Sequence, residues 1–333
     1  MDTLLLPASA GLRDAVMLLG AGELVAFPTE TVYGLGGDAR RDEVVWKIYE
    51  AKGRPVGNPV IVHVADMAGA SGCAAAGGWN QRVEELARQF WPGPLTVIVR
   101  RGPGISPLVS AGRETVALRC PAHPAAHALL KAFGGPIAAP SANRSGFTSP
   151  TTARHVLAEL GGRVPLILDG GPCSVGVEST VLDVTADVPR ILRPGAITAE
   201  MLRAAIGPVE APTATLHPEA AASSPGQYSR HYAPRTPAYW FARQSRPAMD
   251  AAAARQRVVL ITHDPAVSLP SPHEVILLPA EAAAYARAIY ASLRQADDAG
   301  ASSILILLPD SLQGVWAAVV DRLKRAAVPL PVL

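Results

Sequence analysis

Short apolar segments alternate with helix-like segments along most of this chain, and that alternation limits the folds that it can adopt. The strand-like segments are 24–27, 60–64, 95–99, 115–119, 166–169 and 180–184, and helical periodicity marks about 42–52, 79–90, 123–133 and 151–160. Alternation of this kind predicts an α/β fold. Two neighbouring strand-like segments near 180–193 predict that part of the sheet is antiparallel, so we expect an open, mixed sheet.

The periodicity stops between about 207 and 237, where Pro, Ala and Ser dominate. After this break, RVVLIT, EVILLP and SILILL alternate with helical segments at 281–296 and 311–326, which is typical of a small Rossmann-like α/β sheet. A chain of 333 residues is also long for one core. We therefore predict a first domain at 1–209, a linker at 210–237 and a second domain at 238–333.

The linker contains SPGQYSRHYAP, in which two tyrosines and a histidine are more than a simple tether needs. This content predicts that the linker acts as a lid over a ligand site.

Composition excludes several classes of protein. The formal net charge of +2 gives no sign of a basic nucleic-acid-binding arm. The N-terminal segment lacks the features of a signal peptide, and no apolar run reaches transmembrane length. Three cysteines that are far apart, without CxxC spacing, are expected to be reduced thiols. We expect a cytoplasmic protein without a membrane partner.

The segment FPTETVYGLGGDA, residues 27–39, places polar side chains after an apolar strand. This position suits either a ligand crevice or a capping turn, and the residues alone favour neither. Gly34, Gly36 and Ala39 satisfy GxGxxA, but no acidic residue ends a second strand at the required distance, so we interpret the glycines as a turn. A P-loop sequence is absent.

Lys52 and Arg54 follow a predicted helix, and Asn58 and His63 come next in AKGRPVGNPVIVHV. A cationic pair before a loop can hold phosphates, although cations at a helix C-terminus are also favourable without any ligand. His63 in an apolar strand, taken alone, is more often a packed core residue than a ligand.

Polar or cationic residues recur at strand ends, whereas the strand interiors stay apolar. They include Arg119, Ser141, Asn143, Ser179 and Arg193. Such groups supply hydrogen-bond donors for a carboxylate and for a nucleotide. The sequence has no GxSxG, HExxH or Asp-rich metal loop. These features predict a site that works by binding and electrostatics, without a protein nucleophile and without a metal site of its own.

PTETVYGLG, KGR, NPVIVH, PGPLT, LRCP, APSANRSG, GVESTV and RPG occur here in one order. In this order they resemble the YrdC-like threonylcarbamoyl-AMP synthases, over about residues 8–209, and the linker and second domain resemble the long branch of that family. The resemblance implies an open, twisted sheet with a positively lined cavity.

The resemblance also implies roles for individual residues. Lys52 and Arg54 would be catalytic, and L-threonine would be bound by Thr31, His63, Arg119 and Ser179. ATP would be bound by Arg54, Asn58, Thr115, Ser141, Asn143, Ser149, Arg193 and Tyr232, the last from the linker. The linker departs from the family pattern at Gln227, Tyr228 and Ser229, which affects the expected details of lid closure.

The implied reaction joins L-threonine, bicarbonate and ATP into L-threonylcarbamoyladenylate and pyrophosphate, for N6-threonylcarbamoyladenosine modification of tRNAs. Mg²⁺ would be carried by the ATP phosphates, and a tRNA threonylcarbamoyltransferase complex would receive the product. One alternative is a module that binds double-stranded RNA or tRNA without catalysis, since a local basic patch is compatible with a near-zero net charge. A carbamoyl-transfer enzyme is a weaker alternative, because no zinc-binding or acylphosphatase-like segment accompanies the domain.

Overall fold

The computed structural model describes residues 2–211 and 231–331, and this part of the chain forms two sheets with helices on both faces of each. The first sheet and its helices comprise β1 (Leu4–Pro7), α1 (Ala8–Gly20), β2 (Val25–Phe27), β3 (Gly34–Asp38), α2 (Asp42–Lys52), β4 (Ile61–His63), α3 (Met67–Cys73), α4 (Gln81–Phe90), β5 (Leu95–Arg100), β6 (Thr115–Arg119), α5 (Pro124–Phe133), β7 (Ile137–Ala138), α6 (Ala153–Leu160), β8 (Leu166–Asp169), β9 (Thr180–Asp183), β10 (Arg190–Arg193) and α7 (Ala199–Ile206). The second comprises β11 (Ala238–Phe241), α8 (Arg246–Arg255), β12 (Val258–Thr262), β13 (Glu274–Leu277), α9 (Ala282–Asp298), β14 (Ser303–Leu307), α10 (Val315–Ala326) and β15 (Val328–Pro329). The predicted fold class is confirmed.

The first sheet has the order β1-β8-β2-β3-β7-β4-β6-β5-β9-β10 and is mixed. β9 and β10 pair antiparallel, as predicted. β4 and β6 pair parallel, with His63 opposite Arg119. Because parallel strands end at the same edge of a sheet, this register brings two of the predicted site residues together.

Side-chain alternation along the strands supplies a separate core on each face of this sheet. Val25 and Phe27 pack with α1 and α5, whereas Leu24 and Ala26 face the opposite core. The second core also contains apolar residues of α2, α3, α4, α6 and α7. Because both faces of the sheet are buried, the sequences of its strands are nearly continuous runs of apolar residues.

The glycine-rich segment after PTETVY is a strand, so the prediction of a glycine turn was wrong. Gly34–Asp38 forms β3, antiparallel to both β2 and β7. A Cβ at Gly36 would lie 2.7 Å from the Phe27 ring, and a Cβ at Gly37 would lie 2.6 Å from Val44 Cγ1. The glycines are therefore needed for close packing on both faces of the sheet.

The second sheet has the order β13-β12-β14-β11-β15, and its neighbouring strands are parallel. α9 and α10 contribute to one core with Val259 and Ile261, and α8 contributes to the other with Val258 and Leu260. This arrangement confirms the predicted small Rossmann-like sheet.

The two sheets share apolar packing. Val32 and Val177, from the first domain, and Tyr232, from the linker, belong to the same core as residues of α9 and α10. A Cβ on Gly176 would lie only 2.4 Å from the Cα of Arg287, so the backbone before β9 presses directly on α9. The second domain therefore packs against the segments that carry PTETVY and GVEST.

No helix in the described parts of the chain is both long enough and apolar enough to cross a membrane.

Candidate functional site

A small cavity lies where the ends of several first-sheet strands meet the His231–Tyr232 segment. Its wall is formed by Thr29, Thr31, Val32, Gly34, Arg54, Ile61, His63, Arg119, Ala139, Pro140, Ser141, Glu178, Arg193, His231 and Tyr232. The cavity volume is about 40 Å³, which is room for only a few water molecules. Seven predicted site residues are thus brought to one place: Thr31, Arg54, His63, Arg119, Ser141, Arg193 and Tyr232.

Three buried arginines give the wall its positive character. Nε of Arg54 donates to the carbonyl of Asn58 at 3.0 Å, and its Nη2 donates to the carbonyl of Pro59 at 2.8 Å. Nε of Arg193 donates to the Ser179 carbonyl at 3.0 Å, and its Nη2 donates to Ser179 Oγ at 3.1 Å. These contacts fix the orientation of both guanidinium groups before any ligand enters.

Arg119, the third arginine, forms a buried ion pair within the wall. Its Nη2 lies 2.7 Å from Oε1 of Glu30, and Oε2 of Glu30 accepts the backbone N–H of Ala122 at 3.1 Å. Nε of Arg119 also donates to the Gly93 carbonyl at 3.3 Å. Glu30 therefore determines where the Arg119 guanidinium lies.

Lys52 lies behind this wall. Nζ donates to the carbonyls of Ser141 and Asn143, each at 2.5 Å, and the residue is 2% exposed. Burial and the neighbouring Arg54 charge hold the pKa of Lys52 well below its usual value. This position makes Lys52 an anchor of the segment that presents Ser141 to the cavity.

Three polar atoms of the wall are buried and have no hydrogen-bond partner among the described residues: Nδ1 of His63, Nδ1 of His231 and Oη of Tyr232. Burial, followed by the Arg119 charge, lowers the pKa of His63 to about 3. Burial, followed by the Arg54 charge, lowers that of His231 to about 3. Both imidazoles are therefore neutral near pH 7, and their unused capacity suits a ligand.

The end of the linker closes the cavity in an unusual backbone conformation. Tyr232 has a backbone φ of +65°, a value that residues other than glycine rarely adopt. Three hydrogen bonds hold this segment. The N–H of His231 donates to the Arg325 carbonyl at 3.0 Å, and the N–H of Ala233 donates to the Gly146 carbonyl at 2.9 Å. Oγ1 of Thr148 donates to the Tyr232 carbonyl at 3.2 Å. Contacts from both domains maintain this strained residue.

Five predicted ATP or threonine ligands do not line the cavity in the part of the chain that the structure describes. The backbone carbonyl of Asn58 accepts a hydrogen bond from Arg54, and Nδ2 of Asn143 donates to the carbonyls of Arg144 and Phe147. Ser149 donates to Oε1 of Glu178 at 2.6 Å, and Ser179 is hydrogen-bonded to Thr96 and Arg193. Thr115 begins β6, four residues and so about 13 Å before Arg119 at the other end of that strand.

Several wall residues and their partners were missed by sequence reasoning. Glu30 and Glu178 are acids within PTETVY and GVEST, where only the neighbouring Thr31 and Ser179 were singled out. Arg322 occupies the buried face of α10 with Val319 and Leu323. A charged residue at helical spacing within an apolar face is the signal that could have identified it.

Gln227, Tyr228 and Ser229, where the linker departs from the family pattern, lie outside the described residues. Within the described residues, no group of three or more His, Cys, Asp or Glu side chains could hold a metal ion.

The fold and site define a two-domain α/β protein whose domains close together on an arginine-lined cavity. The Sua5/YciO/YrdC family model, described as telomere recombination, matches residues 17–195. The model for the C-terminal domain of threonylcarbamoyl-AMP synthase matches residues 197–328. This chain belongs to the Sua5/YciO/YrdC family, in the branch that carries that C-terminal domain, and the resemblance found in the sequence motifs is confirmed.

Relatives named threonylcarbamoyl-AMP synthase share extended similarity. One from Bacillus subtilis (strain 168) is 50% identical over 227 residues, which are 68% of this chain and 65% of the relative. One from Pyrococcus abyssi is 43% identical over 229 residues, which are 67% of this chain and 65% of the relative. The aligned stretch thus spans slightly less than two thirds of these relatives.

The similarity to a solved structure is more complete. A crystal structure of Pyrococcus abyssi Sua5 complexed with L-threonine superposes with a TM-score of 0.89 at 34% identity, covering 98% of this chain and 98% of that one. Both domains and their arrangement are therefore shared with that protein.

Proposed function

We propose that this chain is a threonylcarbamoyl-AMP synthase, which converts L-threonine, bicarbonate and ATP into L-threonylcarbamoyladenylate and pyrophosphate. The observation that carries the proposal is a cavity wall with three oriented arginines beside three buried polar atoms that have no partner among the described residues. Fixed cations suit carboxylate and phosphate groups, and buried unused polar atoms suit a hydroxyl and a base. Membership of the family supplies the reaction.

L-Threonine would lie against Thr31, His63 and Arg119. The guanidinium of Arg119 suits the carboxylate, and Glu30 fixes its direction. Neutral His63 offers its Nδ1, which has no hydrogen-bond partner among the described residues, to the amine or hydroxyl of threonine. Ser179 would act through Arg193, to which it is hydrogen-bonded.

ATP would lie against Arg54, Ser141, Arg193 and Tyr232. The two arginines would neutralise the charge that develops on the phosphates. Lys52, Asn58, Asn143 and Ser149 would act from behind the wall, by holding Ser141, Arg54 and Glu178 in place. The cavity gives no support to a direct contact between Thr115 and ATP.

Mg²⁺ would enter with the phosphates. The carboxylate of Glu178 already accepts from Ser149, Tyr290 and Arg322. A carboxylate so occupied does not fit as a ligand for a hard cation. We therefore expect the phosphates, and not Glu178, to hold the ion.

The substrates themselves supply the nucleophile. The threonine amine would attack the carbon of bicarbonate and release water, which leaves a carbamate. A carbamate oxygen would then attack the α-phosphorus of ATP, and the bond to the β-phosphate bridging oxygen would break to release pyrophosphate. The wall contributes proximity and charge stabilisation, which agrees with the lack of a Ser–His or Cys–His arrangement in the sequence motifs.

Entry of ATP requires the His231–Tyr232 segment to move. A cavity of about 40 Å³ accommodates a few waters and is far too small for a nucleotide. Tyr232 also leaves a strained conformation when its contacts break. The linker at 210–237 would therefore open as a lid between the domains at 1–209 and 238–333. Packing of Leu202 and Val209 in the first core supports a boundary near residue 209.

The product would pass to a tRNA threonylcarbamoyltransferase complex in the cytoplasm. Cys73, Cys120 and Cys173 are buried and free, which suits a reducing compartment.

The test is incubation of the purified chain with ATP, MgCl₂, bicarbonate and a panel of amino acids, followed by mass spectrometry of the adenylates. We expect threonylcarbamoyladenylate and pyrophosphate only when threonine and bicarbonate are both present. A folded chain that makes no adenylate, and that instead binds RNA with steep salt dependence, would overturn the proposal in favour of an RNA-binding module.

A further inference from the structure

The second domain supplies the partners of a carboxylate in the cavity wall. Oε2 of Glu178 accepts from Tyr290 Oη at 2.9 Å and from Arg322 Nε at 2.7 Å. Tyr290 belongs to α9 and Arg322 to α10, whereas Glu178 precedes β9 of the first sheet. The Arg322 side chain is 0% exposed and that of Glu178 is 7% exposed. The pair is thus a buried ion pair between the two domains.

Arg322 also contacts the lid residue. Its guanidinium carbon lies 5.3 Å from the centre of the Tyr232 ring. Nη2 donates to the Pro194 carbonyl at 3.0 Å, and Nη1 donates to Asp321 at 2.6 Å. Arg322 does not itself line the cavity, but it touches two residues that do.

The charge of Glu178 is unfavourable for the proposed ligands. Burial alone would raise the pKa of Glu178, but the charges of Arg322 and Arg193, with the Ser149 hydrogen bond, lower it to about 2. The wall therefore contains a fixed negative charge beside a site for a triphosphate. In a buried site such a charge repels an anion strongly unless a cation offsets it.

We propose that Arg322 is a positioning residue through which the second domain prepares the cavity for its anionic substrate. Together with Arg193 it offsets the charge of Glu178, and it holds Tyr232 against the wall, so that the net charge of the cavity wall stays positive. The inference rests on the proposed ATP-dependent function and goes beyond it by giving the second domain a role in substrate binding.

The experiment measures binding of MgATP and of adenosine, without turnover, by calorimetry. Arg322→Met removes the charge and keeps much of the side-chain volume. We expect it to weaken MgATP binding by about 30-fold, because a buried carboxylate that only Arg193 then offsets faces the phosphates, and to weaken adenosine binding by less than about threefold. A merely structural role would weaken both ligands in parallel, and that result would overturn the proposal.

Charge compensation can be tested by removing both charges. The double variant Arg322→Met/Glu178→Gln should recover MgATP affinity to within about fivefold of the wild type. A double variant that binds MgATP no better than Arg322→Met would also overturn the proposal. Circular dichroism at the assay temperature confirms that each variant is folded, and a poorly folded Arg322→Met is replaced by Arg322→Gln.

Arg294→Met is the matched control. Arg294 is also an arginine of α9–α10, paired with a first-domain carboxylate, since its Nη1 lies 3.3 Å from Glu159. It does not line the cavity and its charge faces Glu159, away from the wall, so its loss should leave MgATP affinity within about threefold, even though its Nη2 also donates to the Thr148 carbonyl. Wild-type protein that binds MgATP but forms no adenylate would overturn the proposed reaction alone. An Arg322→Met variant that binds MgATP like the wild type would overturn only the inference about Arg322.

Discussion

Oε1 of Glu30 and Nη2 of Arg119 lie 2.7 Å apart, with both side chains almost completely buried. Removing one member of such a pair leaves an isolated charge inside the protein. We predict that Glu30→Ala lowers the free energy of unfolding by about 3–5 kcal/mol, measured by urea denaturation. Glu23→Ala is the control, because the Glu23–Lys47 pair is 39% exposed on each side and its loss should cost less than about 1 kcal/mol. Equal losses in the two variants would contradict a special role for the buried pair.

Arg54 and Arg193 are predicted to act on the phosphates. Arg54→Ala and Arg193→Ala should each lower the rate of pyrophosphate release that depends jointly on threonine and bicarbonate by about 10²–10³. Arg88→Ala, which removes an exposed arginine, serves as the control and should retain wild-type rates. Normal turnover in either cavity variant would rule out the assigned phosphate contact.

Lys52 is predicted to act through the segment 141–143. Lys52→Ala removes two hydrogen bonds to backbone carbonyls, so hydrogen exchange at residues 141–145 should speed up and pyrophosphate release should be abolished. Lys131→Ala, at an exposed lysine, should change neither quantity. Lost activity with unchanged exchange would instead indicate direct contact between Lys52 and the substrate.

The hydroxyl of Tyr232 is expected to be used only by the ligand. Tyr232→Phe removes a buried polar atom that has no partner among the described residues, so the unliganded protein should be as stable as the wild type or more stable. The KM for ATP should rise about tenfold if the hydroxyl bonds the nucleotide. Tyr285→Phe removes another such hydroxyl, in the second domain, and should leave that KM unchanged. A rise in KM for Tyr232→Phe alone would show that its hydroxyl binds the nucleotide, whereas no rise would leave Tyr232 with a packing role only.

His63 is predicted to make stability depend on pH. Its folded pKa of about 3 lies below the unfolded value of 6.5, so the unfolded state binds a proton first as the pH falls. Stability is therefore complete above pH 6.5 and is lost below it, by about 2 kcal/mol between pH 7 and pH 5 for this histidine. His63→Gln should flatten the stability profile over that interval by the same amount, measured by urea denaturation at each pH. An unchanged slope would mean that folding does not lower the pKa of His63.

Local periodicity was sufficient to predict the strands and helices with strong patterns. Strands such as Leu95–Arg100 are long apolar runs, and the helix Asp42–Lys52 has acids in its first turn and a left-handed Gly53 after its last. By contrast, Gly34–Asp38 forms a strand because antiparallel neighbours on both sides pair with it. Non-local pairing of that kind leaves no signal in a glycine-rich segment.

The structure places some of the motif residues in the cavity wall and others behind it. Arg119 and His63 are opposite each other on paired strands, but the sequence pattern predicted only the strands and not their pairing. Lys52 is hydrogen-bonded to two backbone carbonyls, and Arg322 is hydrogen-bonded to Glu178. Both contacts depend on tertiary packing between segments that are distant in the sequence. Residues of this kind carry no local pattern that distinguishes a ligand contact from the support of one.

The ion pair between the domains also imposes an order on biosynthesis. Glu178 is synthesised about 140 residues before Arg322, which corresponds to roughly 7–30 s of translation. During that interval α9 and α10 do not yet cover the Glu178 carboxylate or the apolar surface around Val32 and Val177. The nascent first domain therefore leaves the ribosome before the second-domain contacts of its cavity wall can form.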